Sequence, residues 1–288
     1  MSKEKESIGF LLFLFLLLPW LMTVLLQGRQ ACPVEREISI EEYIAAVTAS
    51  QISWDYDMEA IKAQTILVRN ALYLTREQGK EQELLLQASD FFKRKEMDAQ
   101  QLMRFHSFQQ AAQETKGEVL ALEGEVKELP YHALSQGRTR DGKEVLGEDY
   151  TYLPSVDTAR DLDSPRYVEG CYFTAQELAE KLKEEYPGFV MDEAQTVEIK
   201  ETDAAGYVME IQIGTQIFQG EKIKELLALP SSCFTVQKLE GEIRFLCRGI
   251  GHGMGMSQYT AQQLALEGKT YIEILQYFFP DLEIVDNL

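Results

Sequence analysis

The chain has 288 residues, 45% hydrophobic and 26% charged, an ordinary globular composition that excludes wholesale disorder and collagen-like repetition. Asp plus Glu total 47 against 28 Lys plus Arg, a formal net charge of −19 spread along the chain. That balance excludes a nucleic-acid backbone as partner, because phosphate binding needs positive surface. The 3 histidines and 4 cysteines are too few and too scattered for a multi-zinc architecture.

From Ile8 to Leu26 the sequence carries no charged residue. At ~1.5 Å per residue the stretch reaches ~28 Å, close to the ~30 Å hydrocarbon core of a bilayer. Pro19 and Trp20 interrupt it without disqualifying it, since both are tolerated in membrane helices. Gln27 to Cys32 contains no small-residue cleavage site. The expectation is an uncleaved single-pass anchor over 8–26, with a short cytoplasmic segment over 1–7. The rest of the chain is then an extracytoplasmic domain held at the cell membrane. Lys3 and Lys5 before the span, against Arg29 and Arg36 after it, orient it only weakly.

Beyond a short polar connection, Ile40, Tyr43, Ile44 and Val47 step by three and four, which predicts an amphipathic helix introduced by Ser39. A break follows at Ile52-Ser53-Trp54. Asp57 then caps a second helix whose apolar stripe is Met58, Ile61, Thr65, Val68 and Leu72. Residues of about 78–110 continue as a charged, helix-favouring segment without clear caps, read as a helical insertion standing beside the main domain. From Glu118 the texture becomes that of strands: EVLALEG, EVKELPYHAL, TVEIKE, YVMEIQIG, CFTVQKLE and EIRFLCRG. Helices interrupt them at Thr174 to Tyr186 and Lys222 to Leu229, and helices close the chain after Ser257. This order predicts an α+β fold with N-terminal helices and a mixed or antiparallel β region, not a regular βαβ series. Cys233 and Cys247 flank a hairpin turning at Glu240-Gly241. The turn is expected to set them side by side, bonded or not; Cys32 and Cys171 have no evident partner.

Two segments carry a family resemblance: EEYIAAVTASQISWDYDMEAIKAQTILVRNALY, residues 41–73, and RGIGHGMGMSQYTAQQLALEGKTYIEILQYFFP, residues 248–280. With PYHALSQGRT between them, they resemble the stage II sporulation protein D family, related to amidase-enhancer proteins of bacterial walls. The resemblance covers most of 38–284. It implies a sporulation-associated domain acting on peptidoglycan glycan strands in a binding groove, with a cell-wall amidase as a possible partner. The family's enzymatic members resemble lytic transglycosylases, in which one glutamic acid at the end of the first helix protonates the glycosidic oxygen and no cofactor takes part.

That glutamate's position is Gln51, in VTASQIS, where the family reads Glu-Met-Pro. An amide cannot deliver a proton, and losing a general acid costs ~10²–10⁴ in rate. The expectation is therefore a glycan binder with impaired chemistry. Asp55, beside Trp54, is the one plausible substitute acid; Asp57 reads better as the helix cap. The resemblance carries substrate contacts onto His252, Ser257, Gln258 and Tyr259 of the glycine-rich loop, with Met256 read as packing and Ser257 open to an alternative role as helix cap. Gln64 and Arg69, on the second helix opposite its stripe, read either as sugar contacts or as a solvated face. His132 in PYHALSQGRT matches the family's Tyr-His pair. Some relatives use it with nearby cysteines to hold zinc, but no cysteine lies between Cys32 and Cys171, so no metal site is expected. His106 reads as a polar surface residue.

Overall fold

The structure, a computed structural model, describes residues 40–94, 98–192 and 196–286. The expected anchor and Cys32 lie outside these residues; among the described ones, no helix is long and apolar enough to cross a membrane. Among the described residues, the first helices are α1 (Ile40–Gln51), α2 (Met58–Glu77), α3 (Glu81–Arg94) and α4 (Ala99–Glu114). Strands β1 (Glu118–Leu122), β2 (Glu125–Val126) and β3 (Tyr131–His132) follow, then the short helix α5 (Gly142–Leu146) and a 3-10 turn at Ala159–Asp163. Next come β4 (Val168–Phe173), α6 (Ala175–Glu185), β5 (Val197–Thr202), β6 (Val208–Ile213), β7 (Gln216–Gln219) and α7 (Gly220–Leu227). The last elements are β8 (Phe234–Lys238), β9 (Ile243–Arg248), β10 (Met256–Ser257), α8 (Gln258–Leu266), α9 (Tyr271–Phe278) and β11 (Glu283–Asp286). This is α+β, as the sequence order implied.

Helix α2 organises the helical half. Asp57 caps it, its carboxylate accepting from the Glu59 N–H at 3.0 Å. The apolar stripe was only half of its buried surface. Ile61, Val68 and Leu72 pack with Ile44 and Val47 of α1 and with Phe108 and Ala111 of α4. On the other side, Ala60, Ala63, Ile66 and Leu67 pack with Leu120, Met256, Leu264 and Phe278. The alanines let α8 and β1 approach closely on that side, so the helix is enclosed on both flanks.

The segment of about 78–110, expected as an insertion standing beside the main domain, packs into the helical core. Ala88, Phe108, Ala111 and Ala112 are buried in the same cluster as α1. Trp54 fastens the segment to the α1–α2 break. Its indole N–H donates to the Ala49 carbonyl at 2.6 Å, and its ring meets Phe105 and Phe108 at centroid distances of 6.2 and 5.5 Å. The caps judged absent include a capping box at the start of α4, Asp98 with Gln101.

Strand β1 lies between β11 and β2 in an antiparallel sheet. Two further antiparallel sheets, β4-β9-β8 and β5-β6-β7, close over the second core with Leu178 and Leu182 of α6 and Ile223 and Leu227 of α7. The hairpin β8–β9 turns at Glu240-Gly241, with the Leu239 N–H donating to the Glu242 carbonyl at 2.8 Å. Its register corrects the expected cysteine pairing. A two-residue turn that pairs Lys238 with Ile243 also pairs Phe234, not Cys233, with Cys247. Neighbouring strand residues face opposite sides. Cys247 therefore joins the core with Phe245, whereas Cys233 packs with Ala205 and Tyr207.

Candidate functional site

The glycine-rich run between β9 and β10 is tied by backbone hydrogen bonds to segments distant in the chain. Ile250 and Leu134 exchange backbone hydrogen bonds at 2.7 and 3.0 Å, the Gly251 N–H donates to Pro230, and the Arg140 N–H donates to Gly253. Strand β10 then runs parallel to β3, placing Met256 beside Tyr131 and Ser257 beside His132. Gly253 and Gly255 have φ of +78° and +68°, a region that disfavours any side chain. A Cβ would also collide with the Tyr207 ring at Gly253 and with the Pro130 carbonyl at Gly255. The glycines thus serve backbone approach within the fold.

The two motifs bring their histidines together, ring centroids 5.8 Å apart and edge to face. His132 is buried, and its Nδ1–H donates to the Met254 carbonyl at 3.0 Å. Its Nε2 has no partner among the described residues. Burial first, then neighbouring His252, push the His132 pKa down to about 3, against the opposing pull of the Met254 carbonyl. His252 Nδ1 accepts from the Met254 N–H at 3.1 Å, and burial also lowers its pKa. Both rings are neutral at pH 7, with opposite tautomers set by one residue's backbone.

Ser257 is fully buried as the cap of α8, accepting from the Thr260 N–H and donating to both oxygens of Asp161 at 2.8 Å. This corrects its reading as a substrate contact and leaves the helix-cap role. Asp161 is also buried and accepts from the Ser135 N–H at 2.6 Å and the Thr260 hydroxyl at 2.7 Å. It ties PYHALSQGRT to GHGMGMSQY. Burial nevertheless raises its pKa, those hydrogen bonds opposing. No sequence pattern marked it. Arg140, equally unmarked, is buried with Nε on Asp203 at 2.5 Å, and with Nη1 on Glu221 at 2.8 Å and on the His252 carbonyl at 3.3 Å. Both are pins that hold the motifs in place.

Gln51, the last residue of α1, meets Gln64 of α2 and Gln258 of α8. Gln64 Nε2 donates to Gln51 Oε1 at 3.2 Å. Gln258 Nε2 donates to the Gln51 carbonyl at 2.9 Å and to Gln64 Oε1 at 3.1 Å. Gln51 is half-buried, and its side-chain NH2 carries two further donors. Tyr259 is half-buried beside Tyr56, whose phenol is pushed up to about 12 by burial and then by Asp161 and Tyr259. Met256 is core, as expected.

Three expected site residues lie elsewhere or act differently. Gln64 is fully buried, neither solvated nor outward-facing, because α2 is enclosed on both flanks. Arg69 is fully buried for the same reason. Its guanidinium grips Glu41 at 2.8 and 3.2 Å, the Glu118 carbonyl at 2.9 Å and the Ala112 carbonyl at 3.3 Å. It is a structural cross-link of α1, α4 and β1. Asp55 is exposed and paired with Arg104 of α4. Helix α4 packs against the break that carries it, so the carboxylate turns towards that helix. His106 is exposed, as expected.

A cavity of about 270 Å³ is lined by Arg140, Met209, Glu210, Gly220 and Glu221, among others. It contains none of the residues singled out from the sequence.

Comparison with known proteins gives concordant results. The family model described as stage II sporulation protein matches residues 29–122. Stage II sporulation protein D of Bacillus subtilis (strain 168) is 28% identical over 260 residues, covering 86% of this chain and 74% of that protein. Its Bacillus amyloliquefaciens counterpart is 27% identical over 264 residues, with the same coverage of 86% and 74%. An uncharacterized protein of Brachyspira hyodysenteriae is 25% identical, covering 88% of this chain and 68% of its own.

Proposed function

The chain is similar over most of its length to stage II sporulation protein D, and from that premise we propose that it is a member of that family which binds peptidoglycan glycan strands without cleaving them efficiently. The observation that carries this reading is the fixed amide of Gln51. Its oxygen is held by Gln64, and its NH2 can donate hydrogen bonds but cannot protonate a leaving oxygen. Such a donor suits sugar acetamide carbonyls and the lactyl carboxylate of muramic acid. A groove passing Gln51, Gln258, Tyr259 and His252 is the proposed seat of the strand. Residues 8–26 are proposed as the anchor that keeps the domain outside the cell membrane, and a cell-wall amidase as the partner that strips stem peptides first.

The alternative, a working transglycosylase using Asp55, is disfavoured by that residue's exposure and its pairing with Arg104. Proton delivery needs near-contact geometry with the scissile oxygen.

The test uses purified stem-free glycan strands. Wild type is expected to co-sediment with them and to release no 1,6-anhydromuramic ends, and Gln51→Ala to weaken co-sedimentation. Cleavage by wild type that Asp55→Asn abolishes would show that the chemistry has moved to Asp55 and overturn the reading.

A further inference from the structure

Strands β4 and β9 pair with Cys171 facing Phe245 and Glu169 facing Cys247. Residues two apart on a strand share a face, so Cys171 and Cys247 occupy one face of adjacent strands, a diagonal step apart. Cys171 packs against the core cluster that contains Cys247. Cys233 is turned to the other face, its thiol donating to the Gly206 carbonyl at 3.3 Å.

We propose that Cys171 and Cys247 are an intramolecular disulfide pair, closed when the folded protein meets an oxidising small-molecule disulfide. The partly exposed Cys171 reacts first. Its thiolate attacks one sulfur of the reagent, forming a mixed disulfide and expelling one thiolate, which takes up a proton. Cys247 then loses its proton to solvent and attacks the Cys171 sulfur, expelling the second thiolate. Two protein thiols are oxidised and one reagent disulfide is reduced to two thiols. Burial raises both pKa values, that of Cys247 to about 12, so closure quickens about tenfold per pH unit below them. The bridge clamps edge strand β4 to β9, the strand that leads directly into Gly249 to His252. It also closes a long loop of chain, which restricts the unfolded state.

Trypsin places every cysteine on its own peptide: Cys32 in 30–36, Cys171 in 167–181, Cys233 in 225–238 and Cys247 in 245–248. The full chain is incubated with oxidised glutathione across pH 7 to 9, its remaining thiols are alkylated, and the digest is read by mass spectrometry. The expected product is a 167–181/245–248 cross-link, lost in Cys171→Ser and kept in Cys233→Ser, with a Tm above that of the reduced protein. Cys171 is partly exposed, so its serine variant tests the pair even where Cys247→Ser fails to fold. Alkylation of Cys171 and Cys247 after oxidation of folded protein overturns the proposal, as does a link from Cys247 to Cys233 or Cys32.

Discussion

Gln51 differs from glutamic acid only in carrying NH2 where an acid carries OH, so Gln51→Glu changes chemistry with little change of shape. If the proton donor is the main deficit, release of anhydromuramic ends should rise by ~10²-fold or more over wild type. Gln64 would donate to the new carboxylate and favour its ionised form, so the gain should be larger at acidic pH. Ile52 is buried against α1 and α4, and the family's Met-Pro follows its glutamate. The combined Gln51→Glu, Ile52→Met, Ser53→Pro variant is therefore the companion measurement. Arg69 poses a different question at the same scale. Arg69→Met leaves Glu41 and three backbone or hydroxyl acceptors without their donor. It should cost about 3 kcal/mol or more in denaturant unfolding, whereas a mere sugar contact would lower glycan affinity and leave stability unchanged.

Among elements, α4 shows how a segment that reads as an appendage becomes part of the core. Its outward positions are mostly polar, with Leu102 and Met103 also exposed, and its contribution is concentrated in Phe105, Phe108, Ala111 and Ala112. Phe108 is fully buried under Trp54 and against α2. Phe108→Ala should destabilise the whole domain by ~3–5 kcal/mol, seen as one shifted unfolding transition. A separate early transition for the α3–α4 segment would show that it docks loosely. The glycine loop is rigid for a complementary reason. Its backbone is paired with β3, with the turn after it and with the segment before β8, so loop and sheets form one cooperative piece.

For the whole molecule, the buried histidines set an acid limit. His132 titrates near 6.5 when unfolded and at about 3 when folded. The unfolded chain therefore binds more protons between those values, and its stabilising contribution, complete above pH ~6.5, is lost progressively towards pH 3. Tm measured from pH 7.5 to 3.5 should fall across that window. His132→Asn keeps a donor for the Met254 carbonyl but removes the titration, so its Tm should fall less steeply than that of wild type. Equal slopes would show that carboxylates dominate the acid limb.

Local features were readable wherever the physics is local. Asp57 as cap, the turn at Glu240-Gly241, the helix after Thr174 and most strands of the second half follow from short-range pattern and turn chemistry. GHGMGMSQY and AIKAQTILVRNALY carried the family. What they did not carry was which side chains end up inside. Gln64 and Arg69 sit opposite an apolar stripe and read as exposed, but burial belongs to the assembly: two cores close on α2 from opposite sides. Cys233 and Cys247 looked paired because spacing reports proximity, whereas a shift of one residue in register reverses the face. Asp161 and Arg140 are single polar residues in irregular segments without periodicity, and their partners lie far away in the chain. The sequence by itself determined the family resemblance, the α+β class and the absence of a carboxyl at position 51. Only the tertiary structure decided that the Gln51 amide is held by Gln64 and its backbone carbonyl by Gln258, because those bonds depend on three helices meeting at one point.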